Sequence, residues 1–178
     1  MEFNNFKLEI ISSKYYHSIY NYYKSNKEHL EPWEPTRAKD YYTLDFHIKR
    51  TDERLDLMKK NQSMHFILIN NIEDEIIGVC NYTHINGGEC WLGYSISNLN
   101  QGLGYMYKTV INANKHMFNK YNIKKINAGI ITKNQRSLKL INRLSFESTG
   151  KFVEKEINHK VEKLEIFSFP NPIISYIN

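Results

Sequence analysis

Apolar and polar positions change period several times along the chain, and each change marks an element. "FKLEIIS" (residues 6–12) reads as a first strand. "KYYHSIYNYYKSN" (14–26) carries aromatics at helical spacing, with Tyr16, Ile19, Tyr20 and Tyr23 able to share one face. The two prolines of "HLEPWEPTR" (29–37) exclude regular helix, and a charge-rich helical stretch follows over about 43–60. The texture then turns to strands: "MHFILIN" and "EIIGVCNYTHI" flank the acidic turn "NIEDE" as a hairpin, and "ECWLGYSI" follows an "NGG" turn as a third antiparallel strand. A helix is expected from about Leu103, with Met106, Val110, Ala113 and Met117 as its apolar stripe. "KKINAGII" reads as a strand and "NQRSLKLINRL" as a helix that turns Leu138, Ile141 and Leu144 or Leu140 inward. "FVEKEIN" and "VEKLEIFSF" close the chain as a hairpin around "NHK".

This order is α+β with one βαβ-like crossover, and at 178 residues it fits a single domain spanning 1–178. Ligands in such sheets bind where strands diverge beside a helix N-terminus. "SISNLNQGLGYMYKTV" falls at such a place, with Gly102 and Gly104 between strand and helix. Glycine there serves either a tight turn or a phosphate cradle, in which backbone N–H groups and the positive end of the helix dipole face an anion.

Composition adds limits. No apolar run approaches the ~20 residues of a membrane span, and "MEFNNFKLEI" lacks the basic-then-apolar order of a signal peptide. Cys80 and Cys90 form no CxxC pair and have no histidine cluster at metal spacing, so they read as reduced, partly buried thiols of a cytoplasmic protein, and no metal site is expected. A formal charge of +5 suits an anionic partner, but the lysines are scattered and direct nucleic-acid binding is not expected.

"LGYSISNLNQGLGYM" resembles the acetyl-coenzyme A pyrophosphate loop of the GNAT acyltransferases, Q/R-x-x-G-x-G/A, with Gln101 and Gly104 in register and Met106 at the final small position. "NQRSLKLINRLSF" resembles the same superfamily's N-x-x-S…G-F segment, with Ser145 in place of the usual glycine. That replacement argues against a left-handed turn, which would cost of order 1 kcal/mol. Together with "HLEPWEPTR" and "WLGYSI", these segments resemble the RimJ branch of the RimJ/RimL ribosomal-protein alanine N-acetyltransferases.

The resemblance implies the GNAT fold, a central mixed, mostly antiparallel sheet whose fourth and fifth strands splay apart, and acetyl-CoA as cofactor. It implies contacts to that cofactor from Tyr94, Ser95, Ile96, the loop Gln101, Gly102, Leu103, Gly104, Tyr105 and Met106, and Asn134 and Ser137. Trp33, Glu34, Arg37 and Trp91 would wall the acceptor, Glu34 pairing with a peptide's α-ammonium. By its spacing from Ser137, Glu156 resembles the proposed base of the RimL branch. Glu89, on the strand leading to Trp91, is the rival, and Glu154 shares the face of Glu156. Ser137 or a tyrosine could protonate the leaving thiolate.

The expected reaction moves an acetyl group to a primary amine, either a protein N-terminus of ribosomal type or a small amine such as a polyamine or antibiotic. A non-catalytic acetyl-CoA-binding protein is the third reading. An α-amine, with a pKa near 8, is easier to deprotonate than a lysine near 10.4 by roughly 3 kcal/mol. Either a monomer or a homodimer is compatible with this reading.

Overall fold

The computed structural model describes residues 2, 3 and 5–172. One eight-stranded sheet runs in the order β1-β2-β3-β4-β5-β6-β8-β7. Its strands are β1 (Glu2–Phe3), β2 (Phe6–Ile10), β3 (Met64–Asn70), β4 (Glu75–Asn86), β5 (Glu89–Ile96), β6 (Lys125–Ile131), β7 (Glu147–Ile157) and β8 (Lys160–Pro170). The helices are α1 (Tyr16–Ser25), α2 (Lys27–Leu30), α3 (Leu44–Lys59), α4 (Tyr105–Tyr121) and α5 (Gln135–Arg143). Neighbouring strands are antiparallel except β5 and β6, which pair in parallel. This is the GNAT fold that the resemblance implies, with the two-residue β1 shifting the expected fourth and fifth strands to β5 and β6.

Local chemistry explains the boundaries. The Thr43 side chain accepts the Phe46 N–H and caps α3, and Asn134 likewise accepts the Ser137 N–H and caps α5. The α4 stripe lies inward as its spacing requires, with Val110, Ala113 and Met117 fully buried against Cys80, Tyr82 and Cys90. Both thiols are thus fully rather than partly buried, and burial pushes each up to about 12. On the opposite face α1 and α3 cover a second cluster, in which Tyr15, Ile19, Tyr22 and Tyr23 are buried while Tyr16 and Tyr20 stay partly exposed. The inward stripe of α1 is therefore rotated from the one its aromatic spacing suggests.

Two further expectations need correction. β7 begins at Glu147, five positions before the predicted Phe152, because its register with β8 shifts between Ser148 and Phe152. There Thr149 Oγ1 donates to the Ile166 carbonyl at 2.8 Å, so "ESTG" looks like a turn and is a bulged strand. Ser145 does adopt the left-handed turn, with φ 62. Its N–H donates to the Asn142 carbonyl and that of Phe146 to the Ile141 carbonyl, a Schellman closure of α5 locked by the buried Ile141 and Phe146. The closure outweighs the torsional cost to a serine.

Candidate active site

β5 and β6 stay together over only three register pairs, Glu89–Lys125, Cys90–Ile126 and Trp91–Asn127. Beyond them β5 continues beside β4 to Ile96, while β6 continues beside β8 to Ile131, and a cleft opens between the two. The Ser97 N–H donates to the Ile77 carbonyl of β4 at 2.8 Å. Peptide groups alternate sides along a strand, so the N–H groups of Ile96 and Tyr94 face the open cleft. Ser95 is the exception among the three expected residues: its backbone faces β4 opposite Val79, and its hydroxyl meets the Tyr22 hydroxyl at 2.9 Å.

At the cleft's end the chain makes a short turn at Asn98–Asn100 and enters α4 through Gly102 (φ 74) and Gly104 (φ 78). Gly104 is the N-cap of α4 and offers no side-chain cap, so the first-turn N–H groups of Tyr105, Met106 and Tyr107 remain available to an anion. A Cβ built on either glycine meets no heavy atom within 4 Å. The demand for glycine is therefore torsional, and the space above the loop is free for a ligand. Leu103 is exposed, whereas the Met106 side chain is buried in the core and only its main chain faces the loop.

Gln101 organises this end. Its Oε1 accepts from Arg136 of α5, while its Nε2 approaches Asn98 Oδ1 at 3.3 Å and His29 Nε2 at 2.6 Å. With Oε1 fixed by a guanidinium, the amide nitrogen faces the His29 ring, whose Nε2 also lies 3.2 Å from the Ile96 carbonyl. Along the cleft, Tyr94 and Ser137 share a 2.8 Å hydrogen bond, and Asn134 Oδ1 accepts the Ser137 N–H at 3.0 Å. Burial pushes the Tyr94 phenol up to about 12, so it is a neutral hydroxyl at physiological pH.

Three of the residues expected to wall the acceptor, Trp33, Glu34 and Arg37, lie in the loop after α2. Arg37 donates to Glu34 at 2.6 Å and lies 4.3 Å from the centroid of the Tyr41 ring, so Glu34 is already paired. Trp33 is exposed. Thr36 Oγ1 donates to Glu156 Oε1 at 2.8 Å and accepts the His159 N–H, also at 2.8 Å, while the Asn158 N–H donates to the Glu34 carbonyl at 3.2 Å. The β7–β8 hairpin is thereby tied to the loop, and Glu156 with it. Glu154 is exposed, opposite Lys163.

Glu89 is not brought to this place. It begins β5, about 20 Å of strand before Ser95, where it pairs with Lys125 at 2.7 Å and accepts from Asn127 at 3.0 Å. Lys125 above all holds its carboxyl below the ordinary value, the opposite of what a base needs. Trp91 stands exposed at the last paired position before the splay. His29, Arg136, Tyr22 and Thr36 were not anticipated as site residues. Their contacts join positions 35 to 120 apart, beyond the reach of any local period. Among the described residues no group of three or more His, Cys, Asp or Glu could hold a metal ion.

Residues 8–147 match the family model for the acetyltransferase (GNAT) domain. The chain is 34% identical over 133 residues to the [ribosomal protein uS5]-alanine N-acetyltransferase of Escherichia coli, covering 73% of this chain and 69% of that protein. The crystal structure of ribosomal-protein-S5-alanine acetyltransferase from Vibrio fischeri superposes with a TM-score of 0.92 at 30% identity, over 97% of this chain and 96% of that one. Spermidine N-acetyltransferase from Vibrio cholerae, solved with CoA and spermine, shares the fold with a TM-score of 0.77 at 18% identity, over 99% and 100% of the two chains.

Proposed function

The chain belongs to the GNAT acetyltransferase family and transfers the acetyl group of acetyl-CoA to an amine, and from that premise we propose that its acceptor is the N-terminal α-amine of a protein of the ribosomal class. The observation that carries this reading is the charge of the acceptor wall. Arg37, Arg50 and Arg54 all act electrostatically on the buried His47 behind the loop, and the carboxylate beside them, Glu34, is tied to Arg37. A polyamine needs free carboxylates at the mouth, and here Glu34 is already tied to Arg37 and Glu156 accepts from Thr36. The E. coli relative's substrate class fits the same wall.

The residues present suit acetyl-CoA. The two left-handed glycines and the uncapped start of α4 would take its pyrophosphate, and Asn134, Ser137 and Tyr94 would flank the pantetheine arm. When bound, acetyl-CoA supplies an activated thioester. The inward N–H groups of Ile96 and Tyr94 would hold the carbonyl oxygen as it gains charge. Of the three candidate glutamates, Glu156 touches the acceptor loop, and it is assigned to take the proton from the attacking amine. The Ser137 hydroxyl, supported by Tyr94, is the donor placed to protonate the departing sulfur. This substrate puts the protein in the cytoplasm, with residues 1–178 acting as one domain.

The test is thiol release from acetyl-CoA with alanine- and serine-starting peptides, the same peptides with blocked N-termini, polyamines and an aminoglycoside. Turnover only with free N-termini is expected. Turnover with small amines alone would overturn the peptide reading, and silence across the panel would support a non-catalytic binder.

A further inference from the structure

Behind the loop after α2 lie two guanidinium groups with no carboxylate in contact among the described residues. Arg50 and Arg54 sit one turn apart on α3, partly buried, and among the described residues neither has a carboxylate oxygen within 4.0 Å. What they have are tyrosines. Arg50 donates to the Tyr41 hydroxyl at 2.6 Å and stands 5.3 Å from the centroid of the Tyr23 ring, and Arg54 leans on Tyr23. Ring faces and phenols offset part of the desolvation of a guanidinium but supply no countercharge. Burial pulls Arg54 below its ordinary value, whereas for Arg50 burial is outweighed by Tyr23 and Tyr41, with Glu34 behind them, which hold it above its own.

The arginines adjoin a row of groups that crosses the sheet. Arg54 is near enough to His65 of β3 to add to the burial that holds its ring neutral. His65 Nδ1 bonds Asn81 Oδ1 at 2.8 Å and its Nε2 bonds Ser63 Oγ at 3.0 Å, which leaves the Asn81 amide N–H groups turned away from the ring. Asn81 pairs across the strands with Gly93, and a Cβ on Gly93 would meet nothing within 4 Å. Gly93 shares its sheet face with Ser95 and precedes the splay donor Ile96 by three residues, about 10 Å of strand.

We propose that Arg50, Arg54 and Asn81 form an acceptor subsite for a carboxylate, open above Gly93, so that the preferred substrate is a peptide bearing Asp or Glu within a few residues of its N-terminus. This rests on the peptide reading of the acceptor given above. The placement follows from chain dimensions. With the α-amine at the splay, an extended peptide advances about 3.3 Å per residue, so its second to fourth side chains span the stretch of sheet over Gly93, on the face that carries His65, beside Arg54. Two cations then meet one carboxylate, and the Arg fork suits it bidentately.

The experiment is a charge series. Alanine-starting peptides that differ only in Glu or Gln at position 2, 3 or 4 are compared by kcat/KM with acetyl-CoA, using the wild-type protein, Arg54→Gln and Arg54→Lys. One Glu position is expected to exceed its Gln counterpart by about tenfold or more, chiefly through KM. Arg54→Gln should collapse that ratio, and Arg54→Lys should restore part of it. Ratios within about twofold at all three positions in the wild-type protein would overturn the subsite, whatever the variants do. If no peptide is acetylated, the peptide reading itself falls. The subsite is then decided by binding of the N-acetylated peptides to the CoA-loaded protein, followed by tryptophan fluorescence. A preference for Glu there supports it and charge-blind or absent binding refutes it.

Discussion

The Thr36 hydroxyl donates to a carboxylate oxygen of Glu156 at 2.8 Å, joining positions 120 apart and bringing the closing hairpin to the acceptor loop. Glu156→Gln keeps an oxygen for Thr36 to donate to, so the tie survives while the proton acceptor is lost. We expect kcat at saturating substrate to fall about 10²-fold with KM little changed. Full turnover with an unshifted pH profile would remove Glu156 from the role. Glu89→Gln is the comparison: it breaks a half-exposed ion pair with Lys125, so turnover should hold and stability should drop by no more than about 1 kcal/mol.

Gly104→Val tests the phosphate loop. At φ 78 a β-branched residue is strained, and its side chain would fill the space left open to a ligand. The dissociation constant for acetyl-CoA, measured by calorimetry, should rise at least about tenfold. An unchanged constant would make the glycine turn merely a turn.

Two buried histidines set a stability limit on the acid side. Burial, aided by nearby arginines, lowers His65 to about 3 and His47 to about 4, against 6.5 for an ordinary imidazole. Between those values the unfolded chain binds protons that the native state refuses, so stability is full above pH 6.5 and declines as the pH falls. For His65 the slope is at most about 1.4 kcal/mol per pH unit. The urea midpoint should drop between pH 6.5 and 5, where carboxylates are still ionised, and a flat profile there would contradict the assignment. Neither ring nitrogen of His47 has a hydrogen-bond partner, and its ring stacks on Tyr23. His47→Phe should therefore keep stability at pH 7 and reduce the slope.

Ser145→Gly relieves the left-handed turn that ends α5 without touching the closing hydrogen bonds. A gain of about 1 kcal/mol is expected, which for a domain of this size raises the melting midpoint by about 2–4 °C. No gain would mean that the serine is already compensated.

How much was legible depended on how local the cause was. β3, β5 and the α4 stripe follow from periodicity and were readable to within a residue. The glycines marked the turn before α4 because torsion is a property of the residue itself, while the phosphate-binding role came from the resemblance. The stripe of α1 was misplaced because Tyr16 and Tyr22 are equally apolar on paper, and tertiary packing chose Tyr22 through its bond to Ser95. Arg50 and Arg54 read only as part of a charge-rich helix, since nothing in "HIKRTDERL" shows that they will pack beside Tyr23 and Tyr41. Gln101 was legible as a motif residue but not as the hub that binds His29 and Arg136, which only the folded chain brings together.

The three-pair seam between β5 and β6 has a thermodynamic consequence. Two half-sheets joined so briefly leave edge amides that an inserted molecule can engage, so whatever fills the cleft also acts as mortar between the halves. At a concentration 100 times its dissociation constant, a ligand that binds only the native state adds about 2.7 kcal/mol to stability. The melting temperature of this protein is then also a gauge of acetyl-CoA supply.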